Sequence, residues 1–153
     1  MGTFVDEVLQ CHNLVRIKHG VKELKHNADL TAHAQKWADN LATTGKFEHS
    51  NCDFSGENIG ENIAMAWKPG GEAFSVTGKE ACDMWYSEIS KYDYNKAGYS
   101  NGTGHFTQMV WKGSKELGVG IAKGHDGKIY VVANYLPPGN YTGQFQENVF
   151  PPK

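Results

Sequence analysis

The chain has 153 residues, a formal net charge of −2, and Arg16 as its only arginine. This length is typical of one domain, and contents of 39% hydrophobic and 21% charged residues indicate a globular protein rather than a disordered one. Nucleic-acid-binding modules need a basic, arginine-rich surface, so the composition argues against a nucleic-acid partner. No apolar run reaches the roughly 18 residues of a membrane span, and residues 1–10 lack the basic and apolar regions of a signal peptide.

Three cysteines, Cys11, Cys52 and Cys82, form a small and odd set. A reducing compartment explains this count more simply than a secreted domain with one disulfide and one free thiol. We therefore predict three free thiols and a cytoplasmic location. Cys52 lies three residues from His49, but nothing nearby in the sequence indicates an activated thiol, which favours an inert one.

The first half of the chain has a helical pattern. Residues 4–19 are amphipathic, with Thr3 as a candidate N-cap, and the pattern stops before the glycine that follows. A second helix is predicted over 29–44, with Gly45 ending it. Residues 47–56 are predicted to form a loop or a short extended piece.

The second half is predicted to contain a helix, a glycine-rich loop, a short helix and two strands, over residues 77–92, 95–104, 106–112, 116–123 and 128–136. The helix opens with a capping box from Thr77 to Glu80. The two strands are joined by Gly-His-Asp-Gly, which is typical of a hairpin turn. Helices that precede an antiparallel hairpin indicate the α+β class.

Four segments carry a resemblance to a known family. They are His12-Asn13-Leu14-Val15-Arg16, Gly60-Glu61-Asn62-Ile63, the GHFTQMVW run from Gly104 to Trp111, and the YVVANYLPPGNY run from Tyr130 to Tyr141. In this order they resemble the signatures of the CAP superfamily of cysteine-rich secretory, antigen five and pathogenesis-related-one proteins. The resemblance spans nearly the whole chain. It implies a single domain over residues 1–153, built as a three-layer α-β-α sandwich with a short antiparallel sheet.

One departure from the secreted members of the family is Ala133, where those members have cysteine. With so few cysteines, the chain is most similar to the Golgi-associated branch of the family. That likeness implies a weak homodimer located in the cytoplasm, with possible peripheral membrane or lipid contact on the cytosolic face of the Golgi. The candidate aromatic residues for the homodimer interface are Trp67, Phe74 and Tyr99. Gly2 is placed for myristoylation, but Asp6 stands where that motif has serine or threonine, so we expect weak and reversible membrane association.

The resemblance also implies a cleft lined by two histidines and two glutamates, which map to His49, Glu61, Glu88 and His105. Imidazole is a preferred ligand of Zn²⁺, so His49 and His105 are candidate ligands of zinc or another divalent metal. Local spacing adds no support, since the sequence has no HExxH motif and no paired CxxC motif. The alternative is a buried polar network in which the four side chains satisfy one another.

Glu57 competes with Glu61, because the sequence Gly-Glu-Asn-Ile occurs twice in succession. We prefer Glu61, since the alanine and methionine residues after its motif continue it as the family segment does. His12, Asn13 and Arg16 belong to the first signature and are predicted to be structural. Anion binding by Arg16 is the alternative to a buried ion pair or carbonyl clamp.

The aromatic spacing over residues 92–99 is similar to the proposed caveolin-binding motif seen in this family. Such a pattern is weak, and packing of these rings against the core is the favoured interpretation.

The function most consistent with these features is a non-catalytic binding and assembly module. A metal-dependent hydrolase is one alternative, in which zinc held by His49 and His105 would activate a water and Glu61 or Glu88 would remove its proton as general base. The sequence has neither a nucleophile elbow nor a zincin helix, which argues against that reaction class. A sterol or lipid carrier is a second alternative. No organic cofactor is expected.

Overall fold

The computed structural model describes residues 3–51, 53–67, 76–100 and 102–153. The helices are α1 (Phe4–Lys18), α2 (Ala28–Thr44), α3 (Gly78–Tyr86) and α4 (Gly104–Met109), with two 3₁₀ turns at Ser87–Lys91 and Tyr94–Lys96. The strands are β1 (Lys25–His26), β2 (Asp53–Phe54), β3 (Glu57–Asn58), β4 (Gly60–Ala66), β5 (Glu116–Lys123) and β6 (Ile129–Leu136). The α+β class is confirmed.

The helix boundaries follow from side-chain caps. The Thr3 hydroxyl accepts a hydrogen bond from the Asp6 amide at 3.1 Å, as predicted. The capping box at Thr77 is also present. However, α3 ends at Tyr86 rather than near residue 92, and a 3₁₀ turn follows it. Ser87 donates its hydroxyl to the Met84 carbonyl at 2.8 Å, a local bond that competes with continuation of the helix.

Two smaller boundary predictions were also wrong. Helix α2 begins at Ala28 because the Asn27 side chain accepts from the Leu30 amide. The short fourth helix covers Gly104–Met109 and not residues 106–112. It therefore begins at the first residue of the GHFTQMVW signature, which places His105 in its first turn.

The main sheet has the strand order β1-β5-β6-β4. The pairs β4–β6 and β5–β6 are antiparallel, and the predicted hairpin is closed by a 2.8 Å bond from the Gly124 amide to the Lys128 carbonyl. The two-residue β1 pairs with β5 in parallel, which makes the sheet mixed rather than purely antiparallel. Strand β4 was not predicted as a strand, and it forms one edge of the sheet.

The core has two parts, one on each face of the sheet. On one face, Ala34, Ala38 and Leu41 of α2 pack against apolar residues of β4 and β6. On the other face, helices α1, α3 and α4 contribute a larger cluster that includes Trp85 and Phe106. This arrangement is the expected three-layer α-β-α sandwich.

Candidate functional site

The candidate site residues lie around β4, the edge strand. Successive side chains of a strand point to opposite faces of its sheet, so Glu61 and Asn62 face different layers. Ile63, on the same face as Glu61, belongs to the cluster under α2. Asn62 faces α4 and donates its amide to the His105 carbonyl at 3.0 Å. Glu61 and Asn62 of β4 therefore each contact one of two neighbouring polar groups.

The first group is a pair formed by His49 and Glu61. Nδ1 of His49 lies 3.0 Å from Oε1 of Glu61, and the glutamate side chain is 1% exposed whereas the histidine is 54% exposed. Glu61 also accepts from the amide of Ser50 at 2.8 Å, from its hydroxyl at 2.6 Å and from the Asn134 amide at 3.1 Å. Burial opposes ionisation of Glu61, but the hydrogen bonds from His49, Ser50 and Asn134 outweigh it, and the pKa is lowered.

The second group is a pair formed by His105 and Glu88. Nδ1 of His105 lies 2.8 Å from Oε2 of Glu88. The other carboxylate oxygen accepts from the backbone amides of His105 and Phe106 at 2.9 and 3.1 Å. The Trp85 indole stacks on the His105 ring, with centroids 6.4 Å apart, and donates to the Ile63 carbonyl. The second imidazole is thus fixed by a carboxylate on one side and a ring on the other.

Both pairs select the same tautomer of the histidine. An ionised carboxylate only accepts hydrogen bonds, so Nδ1 of each ring carries the hydrogen. Nε2 then keeps its lone pair, and on neither ring does it have a hydrogen-bond partner among the described residues. A carboxylate behind the ligating histidine is the usual arrangement at zinc sites. The carboxylates of Glu61 and Glu88 are occupied as acceptors, which makes them orienting groups rather than ligands.

The structure does not gather the four residues into one ligand cluster. Within the described ranges, no group of three or more His, Cys, Asp or Glu side chains is arranged to hold a metal ion. A cavity of about 290 Å³ at β4 is lined by His105 and Glu88 together with apolar side chains, among them Phe47, Met65 and Met84. His49 and Glu61 are not among its described lining residues, so a shared cleft stays a prediction.

A buried chain of hydrogen bonds supports the second pair from behind. His12 donates Nδ1–H to the Val8 carbonyl at 2.9 Å, and its Nε2 accepts from the Tyr135 hydroxyl at 2.6 Å. That hydroxyl in turn accepts from Asn62, which holds the His105 carbonyl. Burial lowers the pKa of His12 to about 4, which keeps its ring neutral.

The other residues of the first signature connect loops. Arg16 is buried and donates to the carbonyl oxygens of Lys22, Met109, Trp111 and Ser114 at 2.7 to 3.0 Å. Asn13 exchanges two hydrogen bonds with the backbone of Leu24. All the described polar contacts of Arg16 are thus to carbonyls, as in a clamp.

The two long signatures interlock. Gln108 donates to the Ser114 hydroxyl at 3.0 Å and accepts from the Gly139 amide at 2.9 Å. Thr107 donates its hydroxyl to the Asn140 side chain at 2.6 Å. These contacts hold the loop after β6 against α4, the helix that carries His105.

The aromatic segment and the cysteines fall outside this site. Tyr92 is buried and packs edge-on against Tyr94, whereas Tyr99 is exposed. Cys11 and Cys82 are free thiols. Cys52 and Phe74, both named above, lie outside the described residues.

A larger cavity, of about 870 Å³, lies near the loop after α1 and the start of β5. Four lysines line it (Lys22, Lys25, Lys112 and Lys115), together with apolar residues such as Val21 and Leu136. It contains none of the predicted site residues. We place the candidate site at β4 because the paired histidines and glutamates lie there.

Three residues that organise the site are not among the predicted site residues. Ser50 and Asn134 hold Glu61, and Asn62 holds His105. Both asparagines are buried and are followed or preceded by apolar residues, and a buried polar residue indicates a specific hydrogen-bonding role. That signal was present in the sequence. Ser50 offered no comparable signal.

The comparison with known families agrees with the motifs. The sequence model described as "CAP: Cysteine-rich secretory protein family" matches residues 9–135, which is most of the chain. The chain belongs to the CAP family. Its signature segments therefore have the structural roles described above within a CAP domain.

Individual relatives cover this CAP domain to different extents. The chain is 47% identical to Golgi-associated plant pathogenesis-related protein 1 of Homo sapiens over 152 residues, 98% of this chain and 94% of that protein. It is 35% identical to Protein PRY2 of Saccharomyces cerevisiae over 150 residues, 97% of this chain but 41% of the yeast protein. The chain thus spans less than half of the yeast relative.

Solved structures show the same fold. BmVAL-1 superposes with a TM-score of 0.73 at 26% identity, covering 91% of this chain and 79% of that one. Venom allergen-like protein 4 of Schistosoma mansoni has a TM-score of 0.72 at 22% identity, covering 100% and 97%. The three-layer architecture is therefore that of the CAP family.

Proposed function

We propose that this CAP domain is a non-catalytic binding and assembly module whose two histidines bind one divalent metal ion, with zinc preferred. The observation that carries the proposal is the matched hydrogen bonding of His49 and His105. Each ring donates Nδ1–H to a carboxylate and keeps Nε2 available as a ligand atom. A bound zinc ion would link the loop after α2 to α4 and would complete its coordination with water.

The hydrolase alternative is not favoured by the same contacts. A general base must be free to accept a proton from the attacking water. Glu61 already accepts four hydrogen bonds and has a lowered pKa, and Glu88 accepts three. Both carboxylates are therefore already engaged as hydrogen-bond acceptors within the protein.

Calorimetric titration with zinc tests the metal proposal. We expect one zinc ion per chain and at least about a tenfold loss of affinity in each of His49→Ala and His105→Ala, since each removes one of two protein ligands. His125→Ala is the control, because His125 is exposed in the β5–β6 turn. Equal affinity in all four proteins would overturn the proposal.

Self-association is the second part of the proposed function. Phe47, Met65, Trp67 and Met84 are large exposed apolar side chains near β4, and all except Trp67 line the 290 Å³ cavity. Apolar residues grouped around an edge strand are typical of an interaction surface. We infer that a second copy of the chain covers this surface in a weak homodimer.

Peripheral contact with Golgi membranes is the third part. The human relative is named as Golgi-associated. None of the described helices combines the length and the apolar character that crossing a bilayer requires. We propose weak and reversible attachment to the cytosolic face. Flotation with vesicles of Golgi-like composition should recover a minor fraction of the protein, whereas tight, salt-resistant binding would contradict this proposal.

A lipid carrier remains a second candidate because of the 870 Å³ cavity. Its size is within the range of small-molecule sites, and its lysines would suit the head of an anionic lipid. Displacement of a fluorescent fatty acid tests this candidate. Lys25→Glu should weaken binding and Lys79→Glu, on α3, should not. Identical binding in both variants would exclude this cavity.

A further inference from the structure

Two cysteines from different helices lie in the layer that contains α1 and α3. Cys82 is buried, whereas Cys11 is partly exposed. Both side chains pack in the same core cluster, Cys82 within it and Cys11 at its margin. The Cys82 sulfur also lies 3.6 Å from the Val8 carbonyl and 3.5 Å from Nδ1 of His12. Cys82 therefore lies against the turn of α1 that carries Cys11.

The two helices approach each other unusually closely at this point. A Cβ atom added to Gly78 would collide with Cβ of Glu7 and lie 2.8 Å from the Val8 amide nitrogen, so only glycine fits against α1 at this position. Cys82 lies one helical turn after Gly78, and Cys11 lies three residues after Val8. The two cysteines are therefore each about one turn beyond the point where α1 and α3 touch. A disulfide requires Cα atoms within about 7 Å, and we infer such a separation for Cys11 and Cys82 from the close packing of the two helices.

We propose that Cys11 and Cys82 are a disulfide-forming pair that links α1 to α3 when the protein meets a low-molecular-weight disulfide such as oxidised glutathione. The Cys11 thiolate, the more exposed of the two, attacks one sulfur of the glutathione disulfide. One glutathione leaves as a thiolate and takes up a proton. Cys82 then loses its proton and attacks the Cys11 sulfur of the mixed disulfide, which releases the second glutathione. Two protein thiols are oxidised, one glutathione disulfide is reduced to two thiols, and both protein protons end on glutathione.

The surroundings of the pair determine how it reacts. Burial raises the pKa of both thiols, so little thiolate is present at neutral pH and the exchange is slow. His12 cannot take the proton of Cys82, because its Nδ1 already carries a hydrogen toward Val8. The same high pKa makes each sulfur a poor leaving group, which protects the disulfide once it has formed.

The disulfide would stabilise the fold through the unfolded chain. It would close a loop between residues 11 and 82, and cross-links over long loops restrict the unfolded state most. For a chain of this size we expect the melting temperature to rise by roughly 10 °C.

The test uses the full chain carrying Cys52→Ser, so that two thiols remain. The folded protein is incubated with oxidised glutathione over a series of pH values and analysed by intact mass and peptide mapping. We expect a loss of about 2 Da, a cross-linked peptide that contains Cys11 and Cys82, and a rate that increases with pH. The oxidised form should melt at the higher temperature given above.

Two single-thiol variants separate the steps. With Cys82→Ala added, Cys11 should retain a glutathione adduct of about 305 Da. With Cys11→Ala added, Cys82 should stay unmodified in the folded protein because it is buried. A persistent adduct on Cys11 while Cys82 is present would overturn the proposal. A cross-link that forms only in urea would overturn it as well.

Discussion

Two glutamates from one repeated sequence are placed in different environments. Glu57 lies in β3 and is exposed, whereas the Glu61 side chain is 1% exposed and accepts four hydrogen bonds. The difference arises because Glu61 is on the long edge strand β4, beneath the loop that carries His49. Each glutamate is therefore the natural control for the other.

Glu61→Gln should destabilise the protein. The NH₂ group of the new amide would face the hydrogen-bond donors of Ser50 and Asn134 and leave them without an acceptor. We expect this to cost about 2 kcal/mol of stability. Glu57→Gln should change the free energy of unfolding by less than about 0.5 kcal/mol. Urea unfolding at pH 7 measures both. Equal stability of the two variants would show that the Glu61 network contributes nothing.

The lowered pKa of Glu61 also predicts the direction of its pH dependence. The contribution of ionised Glu61 to the stability of the fold is complete above the pKa of 4.5 in the unfolded chain. It is lost as the pH falls through the lower pKa in the folded protein. The Glu61→Gln variant should lack this loss of stability at low pH, because the amide does not titrate.

His12 predicts a second pH effect at a higher pH. The unfolded chain takes up a proton at this residue below pH 6.5, whereas the folded protein does so only below about 4. The free energy of unfolding should therefore decrease by roughly 3 kcal/mol as the pH is lowered from 6.5 to about 4. His12→Gln should flatten the slope of unfolding free energy against pH in this range. An unchanged slope in His12→Gln would rule out a buried neutral ring.

At the scale of elements, α2 packs on β5 without intervening side chains. A Cβ atom added to Gly120 would lie 2.5 Å from the backbone of Gln35, and one added to Gly118 would meet the backbone of Leu30. Thr31 and Gln35 of α2 also accept from the amides of Val119 and Ile121. The helix thus covers the edge of β5 beyond the short β1, where unpaired amides would otherwise remain.

Gly120→Ala should push α2 away from the sheet. We expect a loss of at least about 2 kcal/mol, because the added methyl group meets backbone that cannot rotate away. Gly127→Ala is the matched control, since its Cβ has open space and only the positive φ of 83° adds strain, at about 1 kcal/mol. Chemical denaturation compares them. A smaller loss at Gly120 than at Gly127 would contradict the close packing.

The elements that the sequence predicts well are those with local signals. Thr3, Thr77 and Gly45 mark helix ends through caps that depend on a few neighbouring residues. Strand β4 has no such signal, because it begins with Gly-Glu-Asn and its partner β6 is about 70 residues away in the chain. The parallel pairing of β1 with β5 is equally non-local.

At the scale of the whole molecule, the surface around β4 makes a prediction about assembly. Met84 is 44% exposed on α3 and lines the cavity there. Met84→Lys should shift the proposed dimer to monomer, because an ammonium group would have to be desolvated at the interface. Sedimentation velocity over a concentration series measures this shift.

Leu14→Lys provides the control for assembly. Leu14 is 71% exposed on α1 and does not line the cavity at β4, so this variant should associate as the unmodified chain does. A chain that stays monomeric into the high-micromolar range would contradict the assembly proposal. Equal weakening by both substitutions would place the interface elsewhere.

The site could be predicted from the sequence only through family resemblance. That resemblance identifies His49, Glu61, Glu88 and His105, but it does not state which residues pair. The pairing depends on tertiary contacts across 12 and 17 residues of sequence. It also depends on Asn134, which is contributed by β6.

Anomalous diffraction at the zinc absorption edge, from crystals grown with zinc, tests the central claim most directly. We predict one strong peak at about 2.0–2.1 Å from Nε2 of both His49 and His105, with Nδ1 of each ring still bound to its glutamate. A peak bonded to a single histidine, or to a glutamate in place of one, would contradict the account. So would zinc-soaked crystals with no peak near either ring.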